Sequence, residues 1–242
     1  MKSTQFEFRF RMVIAGVLYV LGFWAPWTRY GNVTPDTTAW LALSTWIARL
    51  HALRLDQATL LVTILAIVCA VAGAALRLWG AAYLGSTIVQ SSAMHAGTLM
   101  SAGPYRFVRN PLYLGLWIFS VGVSILMPPS GALFFVVALG IFYLRLILGE
   151  EDFLAKQIGP PYLDYCRKVP RLLPSLAPRV PGSGAQPRWL EAAVAECYPL
   201  GFALCLAVLA WRYEPMLLIR CLLVCFGISL VARAMLPKQR LA

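Results

Sequence analysis

Acidic residues, histidines and paired cysteines are scarce in this sequence of 242 residues. Asp and Glu number 10 and His only 2, against 21 Lys and Arg, and charged residues make up 13% of the chain. None of the six cysteines forms a Cys-x-x-Cys pair. Cys221 and Cys225 share a helix face, but no histidine or carboxylate lies beside them, so the sequence predicts no metal site.

Hydrophobic residues, by contrast, make up 60% of the chain, and the mean hydropathy is +0.71. Both values lie well above those of soluble globular proteins. A helix needs roughly 20 mainly apolar residues to cross a bilayer. Six apolar runs approach that length, at residues 12–27, 58–79, 112–127, 131–148, 192–211 and 215–234. We therefore predict an all-α, polytopic membrane protein with about six transmembrane helices.

The short connection between the third and fourth runs contains Pro128, Pro129 and Gly131 and no charge, which predicts a tight helical hairpin. Most Lys and Arg fall on one side of the membrane if the N-terminus is inside, as the positive-inside rule expects. The first run lacks a small-residue cleavage site, so we interpret it as a retained helix rather than a secretory signal. Both termini are predicted to be cytoplasmic, in a bacterial inner membrane.

The formal net charge of +11 is typical of a protein that binds an anionic partner. Because the basic residues lie beside predicted membrane spans, attraction to anionic lipid headgroups accounts for them. Membrane lipids are therefore the predicted partners, and nucleic acid is not.

The densest polar and aromatic segment lies at residues 103–115, with the sequence GPYRFVRNPLYLG. Arginine is costly in hydrocarbon, so Arg106 and Arg109 at the start of an apolar run indicate an anion held at the membrane interface. The preceding residues, 80–103, include serines and His95 and are too polar to face lipid. We expect them to line a cavity or the cytoplasmic surface.

A second unusual segment lies at residues 150–174, with the sequence EEDFLAKQIGPPYLDYCRKVPRLLP. Glu150 and Glu151 follow an apolar run, where the helix macrodipole disfavours negative charge. We therefore expect them to face a cation, either Arg106, Arg109 or a cationic ligand.

Together the two segments resemble the isoprenylcysteine carboxyl methyltransferase and phospholipid methyltransferase superfamily, over roughly residues 58–174. The first is similar to that family's Gly-Pro-Tyr-Arg element followed by Arg-His-Pro-x-Tyr-x-Gly, and the second to its paired glutamates followed by two tyrosines and Val-x-Arg. One position departs from the pattern, because Asn110 stands where the family has histidine. Asparagine forms hydrogen bonds but carries no proton, so it can position a ligand but cannot act as an acid or base.

The resemblance implies S-adenosylmethionine as cofactor, in a pocket open to the cytosol. It assigns catalytic roles to Arg109, Glu151 and Arg171. It assigns the cofactor to His95, Gly103, Pro104, Tyr105, Arg106, Asn110, Pro111, Tyr113, Glu150, Tyr162 and Tyr165. The implied division of the chain is an N-terminal helix and interfacial loop at 1–57, a methyltransferase core at 58–174, and a linker with a C-terminal helical pair at 175–242.

The implied acceptor is a lipophilic molecule, a small molecule or a lipidated substrate. A carboxylate acceptor is already nucleophilic at neutral pH and needs only Arg109 or Arg171 to hold it. An amine acceptor, as in phospholipid or small-amine N-methylation, needs a base, for which Glu151 or His95 is available. Two other functions stay open at this point: an NADPH-dependent reductase of the sterol type, and a non-catalytic membrane homologue.

Overall fold

The computed structural model describes residues 2–24, 37–51, 53–84 and 101–212, with a few isolated positions beyond them. Every regular element in these ranges is helical. The helices are α1 (Gln5–Arg9), α2 (Arg11–Trp24), α3 (Ala39–Arg49), α4 (Leu55–Leu84), α5 (Pro111–Ser124), α6 (Pro129–Ile158), α7 (Pro160–Lys168), α8 (Trp189–Ala195) and α9 (Cys197–Arg212), and a single 3₁₀ turn spans Gly103–Arg106.

Two of these helices, α4 and α6, have 30 residues each and are long and apolar enough to cross a membrane. Helix α8 and the residues of α9 as far as Ala207 meet at a bend of 70° and together qualify as a third span. Helices α2 and α5 are apolar but have only 14 residues each. The all-helical membrane class is confirmed, and the described ranges contain two or three candidate spans. The run predicted at 215–234 lies almost wholly outside them.

Helix α6 is longer than the sequence predicts. The apolar run ends near residue 148, but the helix continues to Ile158 and stops where Gly159 takes a φ of +75° ahead of Pro160. The last part, residues 150–158, consists largely of good helix formers that need no apolar environment, namely Glu, Leu, Ala, Lys and Gln. Glu150 and Glu151 therefore lie inside the helix, about two turns before its end.

The backbones of α4 and α5 approach closely through facing glycines. A Cβ added to Gly73 would lie 2.5 Å from the backbone oxygen of Gly115, and one added to Gly115 would lie 2.7 Å from that of Gly73. Small residues allow such close contact between membrane helices. This packing fixes the start of α5, and with it the arginine segment, against α4.

The N-terminal residues are tied to α6. Thr4 and Glu7 form a reciprocal capping box at the start of α1. The backbone N–H of Ser3 donates to the oxygen of Arg145 at 3.1 Å, and Arg145 pairs with Glu7 at 2.9 Å. These contacts place α2 along α6, where the largest buried cluster includes Phe8, Phe135, Leu139 and Leu146.

Candidate functional site

The two unusual segments of the sequence lie side by side. The backbone N–H of Arg109 donates to the oxygen of Pro170 at 2.9 Å, and that of Ser175 donates to Phe107 at 3.0 Å. The N–H of Arg179 donates to Arg106 at 2.9 Å. These bonds hold residues 106–109 against residues 170–179, so the arginines of both segments reach the same end of α6.

Glu151 is the centre of the resulting cluster. Its Oε2 lies 3.2 Å from Nη1 of Arg109 and 2.9 Å from both Nε and Nη2 of Arg171. The side chain of Arg171 is 40% exposed, whereas Glu151 and Arg109 are nearly buried. Two guanidinium groups share one carboxylate, so the cluster carries one net positive charge and favours a further anion. The sequence suggested Arg106 or Arg109 as the cation that faces the two glutamates. The structure pairs Arg109 with Glu151.

Asn110 completes the coordination of this carboxylate. Its Nδ2 donates to Oε1 of Glu151 at 3.0 Å and to the backbone oxygen of Arg171 at 3.3 Å. The residue that replaces the family's histidine therefore links the two segments as a hydrogen-bond donor.

Two buried tyrosines, Tyr162 and Tyr165, lie beside the cluster, and a third, Tyr105, has a hydroxyl whose charged neighbours are Glu150, Arg77 and Glu196. The hydroxyl of Tyr165 donates to the backbone oxygen of Tyr105 at 2.8 Å, and the rings of Tyr162 and Tyr165 are 5.9 Å apart. Burial raises the pKa of all three hydroxyls above the ordinary value, so they remain protonated donors at neutral pH. The hydroxyl of Tyr105 has no hydrogen-bond partner within the described residues.

Arg106 has a different environment from Arg109. Its Nε donates to the backbone oxygen of Val180 at 3.0 Å, and Gly182 lies beside its guanidinium group. The 3₁₀ turn that ends at Arg106 requires Gly103, whose φ is +52° and whose Cβ position is filled by the ring of Tyr83. Pro104 and Pro111 are buried at the starts of the turn and of α5.

Tyr113 and Glu150 lie away from this cluster, around a partly open cavity of about 480 Å³. The hydroxyl of Tyr113 is hydrogen-bonded to the carboxylate of Glu150. Successive residues of an α-helix point about 100° apart. Glu150 and Glu151 therefore face two different environments, and the predicted site residues divide into two groups. His95 lies outside the described residues.

The cavity also contains charged residues that the motifs do not include. Arg77 of α4 and Glu196, at the break between α8 and α9, form a two-point ion pair: Nε to Oε2 is 2.6 Å and Nη2 to Oε1 is 2.7 Å. Glu196 is 2% exposed. Arg77 lies inside the predicted run 58–79 and Glu196 inside the run 192–211. Charges inside apolar spans are generally paired, which is the signal that links these two residues.

Comparison with known proteins covers the middle of the chain. Residues 61–160 match the model of a family described as phospholipid methyltransferase. Protein-S-isoprenylcysteine O-methyltransferase B of Arabidopsis thaliana is 34% identical over 77 residues, which is 31% of this chain and 39% of the relative. The corresponding enzymes of Xenopus laevis and Schizosaccharomyces pombe are 34% and 33% identical over 88 and 90 residues.

These alignments cover 36% and 37% of this chain and 31% and 38% of the Xenopus and Schizosaccharomyces relatives. The chain thus matches between about a third and two fifths of each relative's length. No solved structure matches the chain. The matched range includes the arginine segment, the two glutamates and α5, all of which carried the resemblance in the sequence. The family model and the relatives confirm that resemblance for the middle of the chain, which is similar to isoprenylcysteine carboxyl methyltransferases and phospholipid methyltransferases.

Proposed function

We propose that this protein is an integral membrane methyltransferase that transfers the methyl group of S-adenosylmethionine to the carboxylate of a lipophilic acceptor. The observation that carries the proposal is the meeting of both motif segments at Glu151, where Asn110, Arg109 and Arg171 all bind one carboxylate. Two of these residues, with Glu151, lie inside the range that matches the family model.

The buried polar atoms of the site fit the cofactor. The hydroxyl of Tyr105 and Nε of Arg109 are both buried donors without a partner in the described part of the chain. Burying a donor without a partner is unfavourable, so both atoms require a ligand that accepts hydrogen bonds. S-adenosylmethionine has a carboxylate, ribose oxygens and adenine nitrogens that accept them. When bound, it supplies an electrophilic methyl group on its sulfonium.

Other residues complete the proposed cofactor site. Tyr162 and Tyr165 supply aromatic surface, and Arg106 supplies a cation at its edge. The resemblance adds His95, Gly103, Pro104, Asn110, Pro111, Tyr113 and Glu150, of which Tyr113 and Glu150 lie at the cavity and not at the Glu151 cluster.

The acceptor's carboxylate is proposed to bind Arg109 and Arg171. Arg171 is partly exposed and accessible to an incoming anion, whereas Arg109 lies deeper. Glu151 holds both guanidinium groups in one orientation. A carboxylate is ionised at neutral pH and requires no base. Catalysis then depends on orientation and on the exclusion of water from the site.

The arrangement supports a carboxylate acceptor over an amine. An amine must lose a proton to a base, and both oxygens of Glu151 already accept hydrogen bonds from Asn110 or Arg171. His95 is the other base that the sequence offers.

The remaining features of the topology belong to the same proposal. We propose six spans, with α5 and α6 as a hairpin, a pocket that faces the cytosol and both termini in the cytosol. A bacterial inner membrane stays a prediction, since the three relatives named above are eukaryotic. The proposed division at residues 57 and 174 leaves α8 and α9 in the third part, although Glu196 contacts the core through Arg77.

Calorimetric titration of S-adenosylmethionine, S-adenosylhomocysteine and NADPH into the detergent-purified protein tests the proposal. We expect saturable binding of the first two ligands, with at least about tenfold weaker affinity in Arg109→Ala and Arg106→Ala, because each loses a charge-assisted hydrogen bond of roughly 1.5–3 kcal/mol. Arg179→Ala is the matched control, because that side chain is exposed beside the site. Preferential binding of NADPH would indicate a reductase, and binding of none of the three would indicate a non-catalytic homologue.

A further inference from the structure

Residues 170–179, which we call the strap, follow α7 and run antiparallel to residues 106–109 of the arginine segment. The backbone hydrogen bonds described above join the two segments, and the hydroxyl of Ser175 also donates to the oxygen of Phe107 at 3.2 Å. The strap lies beyond the range that matches the family model. One of its sides is held against the candidate site, and the other side is available for a second contact.

The outer side of the strap carries two exposed leucines. Leu173 is 83% exposed and Leu176 is fully exposed. Both lie outside the helices that are long and apolar enough to cross a membrane, so a transmembrane position does not account for their exposure. Single exposed apolar residues are ordinary, whereas neighbouring ones are typical of an interaction surface.

The contact with α6 sets the level of the strap relative to the bilayer. Arg171 of the strap pairs with Glu151 at 2.9 Å. Glu151 lies three residues beyond Leu148, where the apolar run ends, which is about 4.5 Å along the helix axis. The headgroup layer on each side of a bilayer is about 5–8 Å thick. The strap therefore lies at the level of the lipid headgroups, from which a leucine side chain can reach the acyl chains.

The chain on both sides of the strap is tied to membrane helices. The strap follows α6 and α7, and the bent candidate span begins soon after it, at Trp189. The backbone N–H of Arg188 donates to the oxygen of Ala82, in the last turn of α4, at 2.8 Å. The ends of α4 and α6 and the start of α8 thus meet at one membrane face, and the strap between them is confined to that face.

The charge around the strap selects the kind of lipid surface. Residues 167–188 contain no acidic residue and five basic ones, namely Arg167, Lys168, Arg171, Arg179 and Arg188. Several of these pair with nearby carboxylates, whereas Arg179 is exposed three residues after Leu176. Basic residues beside inserted apolar side chains bind anionic lipids in preference to zwitterionic ones.

We propose that the strap docks on an anionic membrane surface, with Leu173 and Leu176 among the acyl chains and Arg179 at the lipid phosphates. This contact goes beyond the proposed function and does not depend on which group is transferred. The inner side of the docked strap keeps Arg171 against Glu151, so the charge of the membrane acts on the order of the site.

Photolabelling in lipid nanodiscs tests the docking. The probe is phosphatidylglycerol with a diazirine near the carbonyl end of one acyl chain, and phosphatidylcholine with the same diazirine is the comparison. We expect labelling of the peptide that contains Leu173 and Leu176, stronger with phosphatidylglycerol, and none at the exposed residues 182–186. Labelling of the strap no stronger than that of residues 182–186 would overturn the proposal and indicate that a protein covers the leucines.

Variants separate the apolar contact from the charge. Leu173→Ser combined with Leu176→Ser should lower the labelling of the strap more than about tenfold, because both leucines lose their insertion. Gln186→Ser, a change at another exposed position, is the matched control and should leave the labelling unchanged. Arg179→Ala should reduce the preference for phosphatidylglycerol about fivefold. An unchanged preference in Arg179→Ala would refute the contact with the phosphates.

Hydrogen exchange measures the link to the site. The N–H groups of Arg109 and Ser175 donate across the two segments, so their exchange should be slower in anionic than in zwitterionic nanodiscs. The double serine variant should lose this difference, and the N–H groups of buried residues in α6 should show none. Equal exchange of Arg109 and Ser175 in the two lipids would refute the effect of the membrane on the site. These experiments use no cofactor, so their outcome is independent of the calorimetric test of the proposed function.

Discussion

The side-chain amide of Asn110 donates to Oε1 of Glu151 at 3.0 Å and to the backbone oxygen of Arg171 at 3.3 Å. The position therefore works as a hydrogen-bond donor between the two segments of the site. A neutral histidine has one ring N–H and offers the same kind of donor. Asparagine at this position supplies such a donor and lacks a histidine's capacity to carry a proton.

The effect of a substitution at Asn110 should depend on whether the new side chain can donate a hydrogen bond to Glu151. Asn110→Asp replaces the donor by a carboxylate against Glu151, and loss of a hydrogen bond to a charged group costs roughly 1.5–3 kcal/mol. We expect a lower melting temperature and weaker binding of S-adenosylmethionine, whereas Asn110→His should retain both. Differential scanning fluorimetry and calorimetry measure the two effects. Equal behaviour of Asn110→Asp and the unmutated protein would show that this contact does not organise the site.

The buried ion pair between Arg77 and Glu196 should respond asymmetrically to mutation. Removing one partner leaves the other charge buried without compensation, so Glu196→Leu or Arg77→Met should each cost about 3–5 kcal/mol of unfolding free energy. The double variant Arg77→Met with Glu196→Leu should recover most of the loss. Steric trapping in bicelles measures these free energies.

An exposed pair at the start of α8 is the control for this cycle. Arg188 and Glu191 lie 3.4 Å apart at the surface, and removing either should cost at most about 1 kcal/mol. Additive effects of the Arg77 and Glu196 substitutions would refute the coupling.

Gly103 should be far less tolerant of a methyl group than Gly159. Both have positive φ, at +52° and +75°, which costs an L-residue roughly 1–3 kcal/mol. Space is open around Gly159, whereas the Cβ of an alanine at position 103 would meet the ring of Tyr83. Overpacking adds about 1–3 kcal/mol. Thermal unfolding of the two variants checks this, because Gly103→Ala combines backbone strain with the clash and Gly159→Ala has the strain alone. Equal destabilisation of the two variants would contradict the prediction.

The contact between Glu7 and Arg145 predicts a pH dependence. The hydrogen bond from Arg145, followed by that from the backbone of Thr4, lowers the pKa of Glu7 below its ordinary value of 4.5. A lowered folded-state pKa means that the contact stabilises fully above pH 4.5 and is lost as the pH falls through the folded-state pKa. For a partly exposed pair we expect no more than about 1 kcal/mol.

Melting temperatures between pH 7 and strongly acidic buffer check this dependence. The difference between the unmutated protein and Glu7→Gln should be largest at neutral pH and should disappear in acid. Asp56→Asn, which removes an exposed carboxylate at the start of α4, controls for the change in charge. A difference that grows in acid would show the opposite sign of coupling.

Composition and apolar runs predict the helical membrane class and place several helices well, because burial of apolar residues dominates those segments. The run at 112–127 and helix α5 begin within one residue of each other, since Pro111 both starts the helix and ends the arginine segment. The end of α6 was missed because an apolar run stops at the first charge, whereas helix propensity continues through residues 150–158.

The residues predicted for one site lie in two groups in the structure. The motifs identify Arg109, Glu151 and Arg171, which the structure brings together, but motif order does not say that Glu150 faces elsewhere. That information comes from the helical phase of α6. The sequence does not identify the partner of Arg77, because Glu196 lies 119 residues away and only the tertiary structure brings the two together.

This separation has a consequence during synthesis. Ribosomes add about 5–20 residues per second, so roughly 6–24 s pass between the translation of Arg77 and that of Glu196. Throughout that interval an apolar segment of the nascent chain carries a charge without its final counter-ion. The insertion machinery must therefore tolerate Arg77 in a provisional location, and the cavity closes only when the last helices arrive.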